Sequence, residues 1–203
     1  MISLVMRTDA PKVVGPPQGQ WTYADWETLP QDENRYEIID GVLYMSTSPS
    51  AFHQWIIKRL VTKIGAQAED QGLAYIYFAP IGVIMPGCDP IQPDFVIVRA
   101  GRESIIHERG IRGVPDVIAE VLSPGNHDYD EEVKKAAYER AGVPEYLIID
   151  PVTRSVRHYL LDENGEYGEP KIHTGDNALV IACLPTLPIR VDDLFAGSPH
   201  NKN

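Results

Sequence analysis

Cysteine is nearly absent. Cys88 and Cys183 are the two in 203 residues; they stand far apart and form no C-x-x-C pair. This argues against a disulfide framework and for a reducing compartment. Long hydrophobic runs are missing as well. The apolar stretch Ile2 to Met6 is broken by Ser3 and followed by Arg7, which is too short for a secretory signal. No other run approaches the roughly 20 residues of a membrane helix. The expected location is cytoplasmic, with no membrane partner. Basic charge is also short: 18 Lys and Arg face 29 Asp and Glu, giving a net charge of -11 and a pI near 4.9. Such a chain binds polyanions weakly unless its cations are gathered locally. Several catalytic signatures are lacking, among them G-x-S-x-G and G-x-x-x-x-G-K. Gly125-Asn-His-Asp128 imitates one element of the calcineurin-like metallophosphoesterases, but the D-x-H those enzymes need is absent. Asp128, Asp130 and Glu132 alternate like a calcium loop without its required glycine.

What is present reads as one α/β (α+β) domain over residues 20–196. A flexible arm, 1–19, precedes it, and a loose tail, 197–203, follows. Thr22 caps a helix expected over Tyr23–Leu29, stopped by Pro30. Asp40-Gly41 between two apolar runs in Tyr36–Met45 is a hairpin signal. Ser50 caps a helix expected over Phe52–Asp70, whose Ile56, Leu60, Ile64 and Ala68 recur every fourth residue. Strands are expected over Ala74–Met85 (bent near Pro80 and Gly82), Asp94–Val98 and Asp116–Leu122, with a polar connection Arg99–Gly113 before the last. A helix Tyr129–Ala141 and a strand Glu145–Asp150 follow, and strand–helix–strand order implies a parallel pair. Arg154–Leu161 and Tyr167–Thr174 form a surface hairpin, and the segment Pro185–Phe195 packs down. The whole is a mixed β-sheet flanked by helices, with hairpin additions towards both ends.

Two acids stand where core strands should have none. Asp94 opens the apolar Phe95-Val-Ile-Val98, and Glu120 sits near the end of Asp116-Val-Ile-Ala-Glu120-Val-Leu122. A nearly continuous apolar run is covered on both faces, so Glu120 lies in or near a low-dielectric site. A buried carboxylate needs a cation, a hydrogen-bond network or a metal. Two on successive strands can share one hard divalent ion such as Mg²⁺ or Mn²⁺. The plainer alternative is a strand cap for Asp94 and an arginine partner for Glu120. Asp130, Lys134 and Tyr138 share one helix face at four-residue spacing. Lys134 either turns back towards the carboxylates or pairs with Asp130 at the surface. His53, opening the long helix, is a candidate proton shuttle or phosphate contact, or a structural residue bonding the Ser46–Ser50 loop. Lys58, with Arg59 and Lys63, is a candidate basic strip or an ordinary solvated face.

Taken in order, Tyr-Glu37-Ile-Ile-Asp-Gly41, His53-Gln54, Gln-Pro-Asp94, Pro-Asp116-Val-Ile-Ala-Glu120-Val-Leu-Ser-Pro124, Tyr-Asp130, Lys134, Tyr138 and Gly142-Val-Pro-Glu-Tyr-Leu-Ile-Ile-Asp-Pro151 resemble the Uma-two family of restriction-endonuclease-like proteins. The resemblance runs from about Trp21 to Phe195. It implies a restriction-endonuclease-like core of the PD-(D/E)-x-K superfamily and a Mg²⁺- or Mn²⁺-dependent endonuclease cutting phosphodiester bonds, DNA above all. Asp94 and Glu120 would hold the metal, with the Val121 carbonyl completing its shell. The usual lysine position holds Leu122, and Lys134 would take its place. Glu37 would be a further ligand or a proton acceptor. Cutting two strands implies a homodimer. The rival reading, favoured by the acid excess and by Leu122, is a nuclease-fold module that binds or oligomerises without cutting.

Overall fold

The computed structural model describes residues 13–32, 34–46, 48–123 and 128–199. Helix α1 (Tyr23–Trp26) opens with a reciprocal capping box between Thr22 and Asp25. It is shorter than the expected Tyr23–Leu29, because Thr28 and Leu29 donate to carbonyls three residues back and the turn tightens out of α geometry. Strands β1 (Arg35–Ile39) and β2 (Val42–Ser46) form the expected hairpin. Asp40 and Gly41 have φ of 50° and 72°, as a two-residue hairpin turn requires. Helix α2 (Ala51–Leu60) starts where Ser50 Oγ accepts from the His53 amide, and continues through a π-helical turn, Val61–Gly65, into α3 (Ala66–Asp70).

The expected strand Ala74–Met85 is two strands in different sheets, β3 (Ala74–Phe78) and β4 (Val83–Met85). A strand unforeseen from sequence, β5 (Cys88–Ile91), follows; its internal Pro90 disguised it. Next come β6 (Phe95–Arg99) and a short antiparallel pair inside the expected loop, β7 (Ile106–His107) and β8 (Gly110–Arg112). Strand β9 (Val117–Val121) leads through residues 122–128 to a π-helical turn, Tyr129–Lys134, and to α4 (Lys135–Ala141), which ends at left-handed Gly142. Strands β10 (Glu145–Asp150), β11 (Ser155–Leu160) and β12 (Lys171–Thr174) complete the larger part. A small pair, β13 (Ala178–Leu179) and β14 (Ile189–Arg190), runs into α5 (Val191–Phe195), with Leu194 and Phe195 fully buried. No helix among the described residues is long and apolar enough to cross a membrane.

Two six-stranded mixed sheets result, where the sequence suggested one: β12-β11-β10-β9-β6-β3 and β2-β1-β5-β4-β8-β7. In the first, β9 and β10 are parallel and joined by α4, and β6 pairs with β9 antiparallel. Strand alternation sends Val117, Ala119 and Val121 to one face, against Ile56, Leu60 and Ile64 of the long helix. Ile118 and Leu122 go to the other face, against Tyr138 and Ala141 of α4 and Ile91 and Ile111 of the second sheet. By the same alternation Glu120 faces α4 and the second sheet. The described end of the expected arm is pinned. Gly19 donates to Gly41, the Gln18 side chain bonds to Leu43, and Val13 packs beside Trp21. Residues 1–12 lie outside the described residues. Within the expected loose tail Ser198 is buried, and residues 200–203 again lie outside.

A Cβ at Gly41 would meet the Gly19 carbonyl oxygen at 2.6 Å, in addition to the positive φ. Gly41→Ala is therefore expected to lower stability in urea denaturation by about 2 kcal/mol or more. Gly165→Ala, with φ of 80° but open space around it, should cost only the backbone strain, about 1 kcal/mol.

Candidate active site

The two sheets meet at a short bridge. Strand β5 ends at Ile91 in one sheet, β6 begins at Phe95 in the other, and Gln92-Pro93-Asp94 spans them. Hydrogen bonds hold the bridge against β1. The Gln92 amide donates to Glu37 Oε1 at 2.7 Å, its side-chain nitrogen to the Tyr36 carbonyl at 3.0 Å, and Arg35 Nη1 to the Gln92 carbonyl at 3.3 Å. Glu37 thus comes from one sheet, Glu120 from the other, and Asp94 from the link between them. The π-helical turn then lays Asp130 and Lys134 over the same junction.

The four acids and the lysine are all buried, with Asp94, Glu120, Glu37 and Lys134 between 1% and 2% exposed. Lys134 Nζ lies 3.0 Å from Glu120 Oε1, 3.4 Å from Glu37 Oε1 and 3.6 Å from Asp130 Oδ1. Glu120 Oε1 also accepts from Tyr138 Oη at 2.5 Å, and Glu37 Oε2 from Tyr129 Oη at 3.0 Å. Asp94 has its own partners. Oδ1 faces Arg35 at 3.1 Å; Oδ2 faces His53 Nε2 at 2.9 Å and accepts the Val121 amide at 3.0 Å. A residue's amide and carbonyl leave a strand on the same edge, so the Val121 carbonyl also points to the Asp94 side. These groups line a cavity of about 360 Å³, together with Ser46, Ser48, Ser50, Ser123 and Tyr129.

The charges do not cancel. Four carboxylates face two permanent cations, Arg35 and Lys134, and the acids divide accordingly. Burial would raise Asp94, but the His53 contact, Arg35 and Lys134 hold its carboxyl well below the usual range. Burial pushes Glu120 well above its ordinary value; Lys134 opposes, while Asp94, Asp130 and Glu37 push the same way. Asp130 is pushed up to about 6, again by burial first and against Lys134. For Lys134 burial acts downwards, yet Glu120, Glu37, Asp130 and Asp94 together hold the ammonium above the ordinary lysine value. The pocket therefore holds more carboxyl groups than its two permanent cations can pair, and Glu120 and Asp130 ease the excess by holding their protons more tightly.

Carboxylate oxygens are hard donors, chemically suited to a divalent cation such as Mg²⁺ or Mn²⁺. Among the described residues, however, no three acid, histidine or cysteine side chains surround one point as they stand. The Lys134 ammonium itself fills the space between three of the acids. Of the residues singled out from sequence, Asp94, Glu120, Lys134, Glu37, His53 and Val121 are brought together. Lys58 is not. It lies on the exposed face of α2 with its ammonium 3.4 Å over the Trp55 ring, and it is absent from the cavity lining. The plain surface pair of Asp130 with Lys134 is replaced by a buried one. Arg35, Tyr129 and the hydroxyl of Tyr138 were missed. Arg35 did leave a signal, a charged residue opening an otherwise apolar hairpin strand, but its partner lies 59 residues away.

Comparison with known proteins adds a family and a fold. The model of the Uma2 family, described as "Putative restriction endonuclease", matches residues 22–192. Among solved structures, the chain is similar to one described as "a putative nuclease belonging to DUF820" from Anabaena variabilis. The TM-score is 0.72 at 20% identity, over 86% of this chain and 97% of that one. At such identity the likeness concerns the fold. No curated protein matches.

Two measurements test the electrostatics. Lys134→Met removes the cation shared by three buried acids and should cost about 3–5 kcal/mol in urea denaturation. Lys58→Met, losing an exposed ring contact, should stay within about 1 kcal/mol. The second is a pH series on Asp130→Asn. Between its ordinary value and about 6, folded Asp130 keeps a proton that the unfolded chain has released, so its contribution to stability falls as pH rises through that window. The variant should be the more stable protein at pH 7, and the difference should vanish below about pH 4.

Proposed function

The chain belongs to the Uma2 family, and on that premise we propose that it is a Mg²⁺- or Mn²⁺-dependent nuclease hydrolysing phosphodiester bonds in the cavity between the two sheets. The observation that carries this reading is the gathering of Glu37, Asp94, Glu120 and the Lys134 ammonium around one buried junction. Asp94, Glu120 and the Val121 carbonyl are the groups that would hold the ion. Bound there, the ion supplies charge neutralisation at the phosphate and acidifies the attacking water.

The remaining roles belong to the chain's own side chains. Lys134 Nζ orients the nucleophile and stabilises negative charge as it develops on the phosphate oxygens. Leu122, packed in the apolar core, leaves that task to the helix. Tyr138 Oη and Lys134 fix the orientation of the Glu120 carboxylate through Oε1. Glu37, held through both oxygens by Gln92 and Tyr129, would serve as a further ligand or accept a proton. Arg35, with 19% of its side chain exposed beside Asp94, reaches the cavity as a phosphate contact. His53 keeps Asp94 ionised and turned towards β9.

A second reading has its own support. As the side chains stand, the ammonium fills the place between three acids, and the chain carries a net charge of -11. Those features suit a nuclease-fold module that binds or oligomerises without cutting. The test uses purified protein with Mn²⁺ or Mg²⁺ on a supercoiled plasmid, a single-stranded DNA circle and an RNA transcript. The nuclease reading expects cleavage of at least one, reduced to background by Glu120→Gln with an unchanged circular dichroism spectrum. Cleavage surviving in the variant would dismiss the site, and no cleavage of any substrate by wild type would favour the module.

A further inference from the structure

A second cluster of buried polar side chains lies on the outer strands of the larger sheet, and none of its members lines the cavity. Strand alternation puts Glu145 of β10, His158 of β11 and His173 of β12 on one face, the face that packs against α2. All three are buried. Segment 178–184 crosses over them. The His173 ring is hydrogen-bonded to the Ala178 backbone, and the Ala182 amide donates to both Glu145 oxygens, at 2.8 and 3.1 Å. Between those two attachments Leu179 and Ile181 are fully buried, and Ile181 and Leu184 share a core with Ile56 and Leu60 of α2. Polar side chains thus fasten an apolar strap at two points.

The two fastenings differ in how they meet a proton. His158 Nε2 stands 2.6 Å from Glu145 Oε1, so a proton on that ring is answered by a carboxylate. The His173 ring lies 5.5 Å from the His158 ring, centroid to centroid, and its buried Nε2 has no hydrogen-bond partner among the described residues. A proton there would be buried without an acceptor, beside a second imidazole and with Lys171 on the same strand. The charged groups of the surrounding elements are engaged elsewhere. Asp116 faces Arg99 and Arg102, and Asp176 and Asp193 face Arg190, while Arg59 of α2 donates to the Asp193 carbonyl. On the strap itself, burial pushes the Cys183 thiol up to about 12. Burial first, then His158 and Lys171, hold His173 below the ordinary imidazole value, against the Ala178 bond. The closed strap is therefore favoured above about 6.5 and loses ground as pH falls through that value, because an opened chain takes up the proton more readily. We infer that segment 178–184 is a strap latched by neutral His173 and released by acid, uncovering the side of α2 against which it packs.

The test is amide hydrogen exchange on the full chain at about pH 7.5 and about pH 5.5, either side of the imidazole range. Rates are corrected for their intrinsic pH dependence and read at Ala182 and along β10. Protection at Ala182 is expected to fall about tenfold or more at the lower pH, while β10 keeps its own. His173→Gln, which takes up no proton, should hold Ala182 protection within about twofold across the same range. His158→Gln, which removes the neighbouring imidazole, should reduce the loss, and it decides alone should the first variant not fold. Protection at Ala182 that does not change with pH overturns the inference. So does a loss as large in the variants as in wild type, or one that β10 shares.

Discussion

The structure depends on one buried ion cluster. Lys134 faces Glu120, Glu37 and Asp130 with its ammonium almost wholly removed from water. Each of these groups would be costly alone in that setting, by several kcal/mol after relaxation. They are tolerable together, and they are together because three separate elements deliver them to one point. Alternation along β9 turns Glu120 away from the long helix, the hairpin strand β1 brings Glu37 from the other sheet, and the π-helical turn carries Asp130 and Lys134 across the gap. The packing of two sheets and a helix is thus coupled to the neutralisation of a few charges.

Much of this was legible in the chain. Acids inside apolar strands are physically expensive, so Asp94 and Glu120 announced themselves, and Lys134 followed from four-residue spacing on a strongly marked helix. The hairpin at Asp40-Gly41 and the parallel β9–β10 pair were equally readable, because turn chemistry and strand–helix–strand order are local signals. The second sheet was not. Its strands β4, β5, β7 and β8 are two to four residues long, too short for a period to show, and Pro90 sits inside one of them. Arg35 and Tyr129 find their partners 59 and 92 residues away, distances at which spacing carries no information. Lys58 failed for another reason: a cation on an amphipathic helix reads the same whether it meets a substrate or the ring of Trp55.

The acidity that counted against a nucleic-acid enzyme acquires a local meaning. The chain's net charge of -11 is partly concentrated where four carboxyl groups crowd two cations. Elsewhere the acids hold the arginines at the surface.

The three-residue link Gln92-Pro93-Asp94 has a further implication for how this scaffold tolerates change in length. It leaves one sheet, presents Asp94, and enters the next, while its first residue is hydrogen-bonded to β1 through both backbone and side chain. An extra residue there would reverse which way Asp94 faces or drag the sheets apart. The turn at Asp162–Gly165, far along the chain and exposed, has no such duty. Related chains of differing length should therefore vary at the outer hairpins and keep this crossing at constant size.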